Sequence, residues 1–225
     1  SLDNKMRDTN QTIIKFDYDK NFDKSDFILS KSNKHIYKFL DRWPKWERNF
    51  INIIGEKLSG KTHLINIFIK KNKGIIIDGR SLNEDDLKKV DIHENIVIEN
   101  LTSNINENLF YSLLNLIEQD NKYVIITSFN SIVDIDFKLA DLKSRAKSFL
   151  LLNIEHPDDE MIFGIILKNL SDRQISLDKK LIDYIVKRIE RSYSKIHNLI
   201  YKIDQLSLKK KKSIDFKIIK EVLGE

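Results

Sequence analysis

One eight-residue segment constrains this chain more than any other. Gly55-Glu56-Lys57-Leu58-Ser59-Gly60-Lys61-Thr62 fits G-x-x-x-x-G-K-[ST] at every defined position and holds two of the chain's six glycines. Ahead of it, residues 51–54 read as a buried strand; behind it, a helical pattern runs to about Lys70. Strand, tight turn and helix start, in that order, make a phosphate cradle. The glycines let the backbone turn sharply and aim N–H groups at phosphate oxygens. Lys61 is expected on the β- and γ-phosphates and Thr62 on Mg²⁺, and the helix N-terminus adds its partial positive charge. The ligand implied is ADP or ATP with Mg²⁺, held by Gly55 through Thr62 with His63 directly behind.

The rest of the chain supplies a scaffold for such a loop. Apolar runs at 74–79, 95–100, 123–128 and 149–154 join 51–54 as five short, nearly continuous strands. Helical patterns at 82–90 and 109–117 separate them, which predicts a five-stranded parallel sheet covered on both faces. A further helical pattern over 33–43 stops at Pro44. After Pro157 the strands cease and four apolar stripes at helical spacing follow. The expected organisation is an extended arm over 1–25, an α/β domain over 26–155 and a small all-α domain over 156–225.

Composition narrows the classes. No cysteine is present, which excludes disulfides and thiolate chemistry and suits a reducing cytoplasm. No stretch approaches the roughly 18 apolar residues of a membrane helix, so no membrane partner is expected. The five histidines, at 35, 63, 93, 156 and 197, lack metal-ligand spacing. The net charge of +5 invites a nucleic-acid reading, but the chain is dense in Lys, Asn and Ile, residues with AT-rich codons. Direct DNA binding is therefore only a weak expectation, and Lys209 to Lys212 read as a solvated loop between helices.

Several strings beyond the loop carry a resemblance. Asp26-Phe27-Ile28 is followed by Ser32-Asn33, and Asp41-Arg42-Trp43-Pro44 by Trp46. Leu142-Lys143-Ser144-Arg145 comes next, then Pro157-Asp158-Asp159, Asp172-Arg173-Gln174 and Asp183-Tyr184. Together with the P-loop these resemble the AAA+ family, within it the DnaA-related branch, and most of all its Hda-like regulators. The resemblance implies an AAA+ α/β domain followed by a helical lid, with Phe27 and Ile28 on the adenine side. Arg145 is implied as the arginine finger of box VII, acting in trans.

Three positions depart from the family pattern. The third strand should end in two acidic residues; here it ends in Glu99-Asn100. Glu99 still offers a carboxylate to Mg²⁺ together with Thr62, whereas Asn100 cannot accept a proton. The sensor strand ends Thr127-Ser128-Phe129-Asn130, with Phe129 where a polar residue is expected. The lid's sensor arginine aligns near Ser194. The chain keeps what holds a nucleotide and loses what hydrolyses it, so its own ATPase activity is expected to be weak or absent.

Family members of the initiator type continue past the lid into a DNA-binding domain, and this sequence ends soon after its fourth lid helix. The expectation is therefore a cytoplasmic, nucleotide-binding regulator of replication initiation. Such a regulator stimulates ATP hydrolysis on DnaA and docks on the DNA polymerase sliding clamp. Gln11, Ile14 and Phe16 match the clamp-binding anchors, with Thr12 departing from the usual Leu; the same six residues equally suit an arm packed on its own domain. Self-association stays open. The alternative is an active AAA+ ATPase, either an initiator fragment or a helicase loader. A P-loop kinase of small metabolites is disfavoured by the helical C-terminal region and the box VII string.

Overall fold

The computed structural model describes the backbone of residues 12–14, 27–210 and 213–225. Gln11 and Phe16 lie outside the described residues, as do the side chains of Ile14 and Phe27. The chain divides into two compact units. One is His35–Ile154; the other is Glu155–Glu225 with the described residues of Ser1–Lys34.

In the first unit a five-stranded sheet has the order β4-β5-β6-β3-β7. Its strands are β3 (Phe50–Ile54), β4 (Ile75–Asp78), β5 (Asn95–Leu101), β6 (Tyr123–Ser128) and β7 (Leu150–Asn153). All four pairings are parallel. The helices are α1 (Lys34–Asp41), α2 (Lys61–Asn72), α3 (Asp85–Asp91), α4 (Glu107–Gln119) and α5 (Ala140–Ala146). The strands are rich in Ile and Val, whose branched side chains suit a pleated surface buried on both sides. Ile96, Ile98, Val124 and Ile126 pack with Phe110, Leu113, Leu114 and Ile117 of α4. The predicted sheet is therefore present, strand by strand, within one or two residues.

The same unit begins with a tight aromatic group. The Trp46 ring stacks on Phe39 at 5.1 Å and on Phe68 of α2 at 5.4 Å, and its indole N–H donates to the Phe39 carbonyl at 3.0 Å. This anchors the segment entering β3 to the helix leaving the P-loop.

The second unit holds β1 (Thr12–Ile14), β2 (Phe27–Leu29), α6 (Asp159–Asp172), α7 (Lys179–Arg188), α8 (Tyr193–Lys210) and α9 (Phe216–Leu223). β1 pairs antiparallel with β2, Ile13 opposite Ile28. Asp158, Asp178 and Asp215 cap α6, α7 and α9, each accepting a backbone N–H of the first turn. Two features differ from the sequence reading. Helix α8 continues through Lys210, so the lysine run begins inside a helix. Residues 27–34 group with the helical unit, because hydrogen bonds tie them there. Tyr193 donates to the Ser32 hydroxyl at 3.2 Å, and the Glu155 N–H donates to the Ser32 carbonyl at 3.0 Å.

Candidate nucleotide site

The phosphate loop follows β3 directly. The Gly55 N–H donates to the Ser128 carbonyl at 3.1 Å, so the loop starts pinned to β6. A Cβ on Gly55 would lie 2.5 Å from the Ser59 hydroxyl and 3.3 Å from Ile154, leaving no room for a side chain. Gly60 takes φ 98°, the left-handed region that glycine enters without strain, and thereby starts α2. Leu58 takes φ 64° and is exposed.

Lys61 bends back over the loop. Its ammonium donates to the Gly55 carbonyl and, at 3.1 Å, to the Glu56 carbonyl. Burial pushes its pKa down, while Glu56 and Glu99 oppose the shift. A half-buried cation resting on carbonyl oxygens is a group that phosphate can take over, because an anion compensates the partly desolvated charge better than neutral oxygens do. The Ser59 hydroxyl is buried and has no hydrogen-bond partner, a second group suited to a ligand oxygen. Glu56 is half-buried, while Lys57 and His63 are exposed.

Two elements meet beside the loop. The Thr62 hydroxyl, at the start of α2, donates to Glu99 Oε1 on β5 at 3.3 Å. Threonine hydroxyl and carboxylate at the mouth of a P-loop are hard oxygen donors of the kind that hold Mg²⁺ alongside phosphate oxygens. Among the described residues no group of three His, Cys, Asp or Glu could hold a metal ion. The residues therefore fit Mg-nucleotide.

Asn100, next to Glu99, has φ 61° at an irregularity in the β5–β6 ladder, and its N–H donates to Thr127 Oγ1 at 3.2 Å. Its side chain is close enough to Asp78, the last residue of β4 and in register with Glu99, to help lower that carboxyl's pKa. Arg80 grips Asp78, with Nη2 2.8 Å from Oδ2, and holds that carboxyl down at about 2. Nothing in the sequence singles out the Asp78–Arg80 pair. Phe129 is exposed at the end of β6.

Arg145 sits on α5. Its guanidinium meets Glu118 of α4 at 2.5 Å and Asn115 at 2.6 Å, and lies 5.9 Å from the ring centroids of both Phe50 and Tyr111. Its side chain is only 15% exposed. Phe27 and Ile28 belong to β2 in the second unit, where Ile28 is buried.

Comparison with known proteins agrees with this architecture. Residues 159–223 match the family model described as Hda, lid domain. The DnaA initiator of Buchnera aphidicola subsp. Cinara cedri is 22% identical across 96% of this chain and 55% of its own length. The chain is a DnaA-related AAA+ protein. The DnaA of Flavobacterium psychrophilum is 28% identical across 52% of this chain and 24% of its own. The chain thus spans about half the length, or less, of these curated relatives. Domain III of Thermotoga maritima DnaA superposes with a TM-score of 0.73 at 19% identity, covering 95% of this chain and 98% of that one. AMPPCP-bound DnaA from Aquifex aeolicus gives 0.65 at 19% identity, covering 85% and 67%. The Thermotoga maritima RuvB branch-migration motor gives 0.65 at 16% identity, covering 86% and 67%. These structural likenesses establish the fold. No helix among the described residues of this DnaA-related chain is long and apolar enough to cross a membrane.

Proposed function

We propose that this chain is a nucleotide-gated regulator of replication initiation of the Hda kind. It binds ADP or ATP with Mg²⁺ on Gly55 to Thr62 and Glu99, in the cytoplasm, with little turnover of its own. Loaded, it stimulates ATP hydrolysis on DnaA through Arg145 and associates with the sliding clamp through Gln11, Ile14 and Phe16. One contrast supports this reading above the rest. Thr62 and Glu99 touch at the metal side, while the adjacent position that should carry a base is Asn100, an amide that takes no proton. The Hda-type lid over 159–223 points the same way.

Two features set conditions on the reading. Arg145 is engaged by Glu118 within its own chain, so acting in trans requires that pair to exchange for a partner's phosphate. A phosphate carries more charge and more acceptor oxygens than one carboxylate, which favours the exchange. Thr12–Ile14 is paired with β2, so clamp docking competes with the β1–β2 ladder.

The test is calorimetry of ADP and ATP binding with Mg²⁺, with hydrolysis followed in the same samples. Tight binding without turnover is expected; no binding overturns the reading. The second reading, an active ATPase of the DnaA type, draws on the near end-to-end likeness to DnaA domain III. Turnover by the isolated chain would put it first.

A further inference from the structure

Asn52 is the one polar side chain inside β3, the central strand that delivers the P-loop, and it is wholly buried. Each of its polar atoms is spent on one neighbouring element. Nδ2 donates to the Ile126 carbonyl at 3.2 Å and to the Ser128 hydroxyl at 2.9 Å. Oδ1 accepts the Ile132 N–H at 2.9 Å. The carboxamide thus spans from the last residues of β6 to the first residue of the short 3-10 turn Ile132–Asp134, across the exposed segment 129–130.

An apolar residue here would need no partner of its own, as Ile51 and Ile53 need none, but it would take from the buried Ile132 N–H and Ser128 hydroxyl the bonds that Asn52 gives them. A buried polar group whose every atom is satisfied serves to specify one arrangement of its neighbours. The neighbours in question meet the phosphate loop at a shared residue. Ser128 takes the Gly55 N–H on its carbonyl and the Asn52 amide on its hydroxyl. A phosphate that drew Lys61 off the Gly55 and Glu56 carbonyls would remove one of the bonds that hold the loop's first residue and let it shift. Ser128 would receive that shift directly, and Asn52 is bonded so as to carry it on to Ile132.

We infer that Asn52 is a positioning residue of the nucleotide site: its carboxamide couples the filling of the P-loop to the placement of segment 129–132 at the end of the sensor strand. The inference rests on the nucleotide-binding reading above. It is tested by amide hydrogen exchange with and without saturating MgADP, in the wild type and in Asn52→Leu. In the wild type, MgADP is expected to slow exchange over 129–132 by about three- to tenfold, the equivalent of one net hydrogen bond. In Asn52→Leu that ratio falls to about one, while exchange at Leu113 and Leu114 of α4 stays as in the wild type. A merely structural role changes the baseline exchange and leaves the MgADP ratio intact, and that result overturns the inference. Should Asn52→Leu fail to fold, Ser128→Ala decides, because it removes the hydroxyl that Asn52 holds; the full wild-type ratio in that variant overturns the inference. A wild type that binds MgADP without slowing 129–132 overturns it alone; a wild type that binds no nucleotide overturns it together with the reading it rests on.

Discussion

Arg145 and Glu118 form an ion pair within one chain, at 2.5 Å, with the arginine sunk between the rings of Phe50 and Tyr111. The residue proposed to act on a partner is thus also a packing residue of its own domain. Arg145→Ala is expected to keep ADP affinity, to abolish stimulation of DnaA hydrolysis, and to lower stability by about 1–2 kcal/mol through lost stem packing. Glu118→Gln keeps the packing and weakens the grip; the carboxylate is mostly exposed, so the stability cost is about 0.5 kcal/mol. Stimulation is expected to rise in that variant. Unchanged stimulation would show that the pair does not hold Arg145 back.

Lys61→Ala removes the cation that bends over the loop. Nucleotide affinity is expected to fall by about 10- to 100-fold, the scale of a lost charge-assisted hydrogen bond. The nucleotide-free chain should be as stable as the wild type or slightly more so, since burial is the dominant influence on Lys61. Titration calorimetry and thermal melts of the same preparation check both halves.

Glu99, which accepts from the Thr62 hydroxyl, gives a sharper variant. Glu99→Gln is expected to erase the advantage of MgATP over metal-free ATP while leaving metal-free binding in place. If affinity with and without Mg²⁺ drops equally, Glu99 is not on the metal side.

Asp78 allows a prediction of pH dependence. Its carboxyl is lowered from 3.8 to about 2, first by the Arg80 side-chain hydrogen bond. A depressed folded-state pKa gives stability that is present above about pH 4 and is lost as pH falls through about 2. The pair is partly solvent-exposed, so the gain is at most about 1 kcal/mol after screening. Acid melts of the wild type and Arg80→Ala should converge towards pH 2 and differ at pH 5; a constant difference would remove Asp78 from the account.

Asn100 stands where a base is expected, but a carboxylate there would face Asp78. Asn100→Asp alone is expected to gain little turnover and to lose stability by about 1 kcal/mol through like-charge contact. The double variant Asp78→Asn, Asn100→Asp relieves that contact and should turn over more ATP than either single variant. The left-handed backbone at position 100 accepts Asp as it accepts Asn.

By itself, the sequence determined the elements whose signals are local. Runs of Ile and Val set the five strands and their parallel pairing, because a buried parallel strand leaves no polar face. The G-x-x-x-x-G-K-T spacing set the loop, because its backbone needs glycine at two fixed positions. Only tertiary structure decided what depends on distant neighbours. Asn52 carries no signal within the buried run 51–54; its role appears only when Ile126, Ser128 and Ile132 come within bonding distance of it. The partners of Arg145 within its own chain, Glu118 and Asn115 on α4, lie 27 and 30 residues away and cannot be picked out by spacing. Residues 27–34 read as the head of the α/β domain until Tyr193 and Glu155 bind Ser32. A side chain's role follows from which groups share its surroundings, and spacing along the chain carries that information only within one strand, turn or helix.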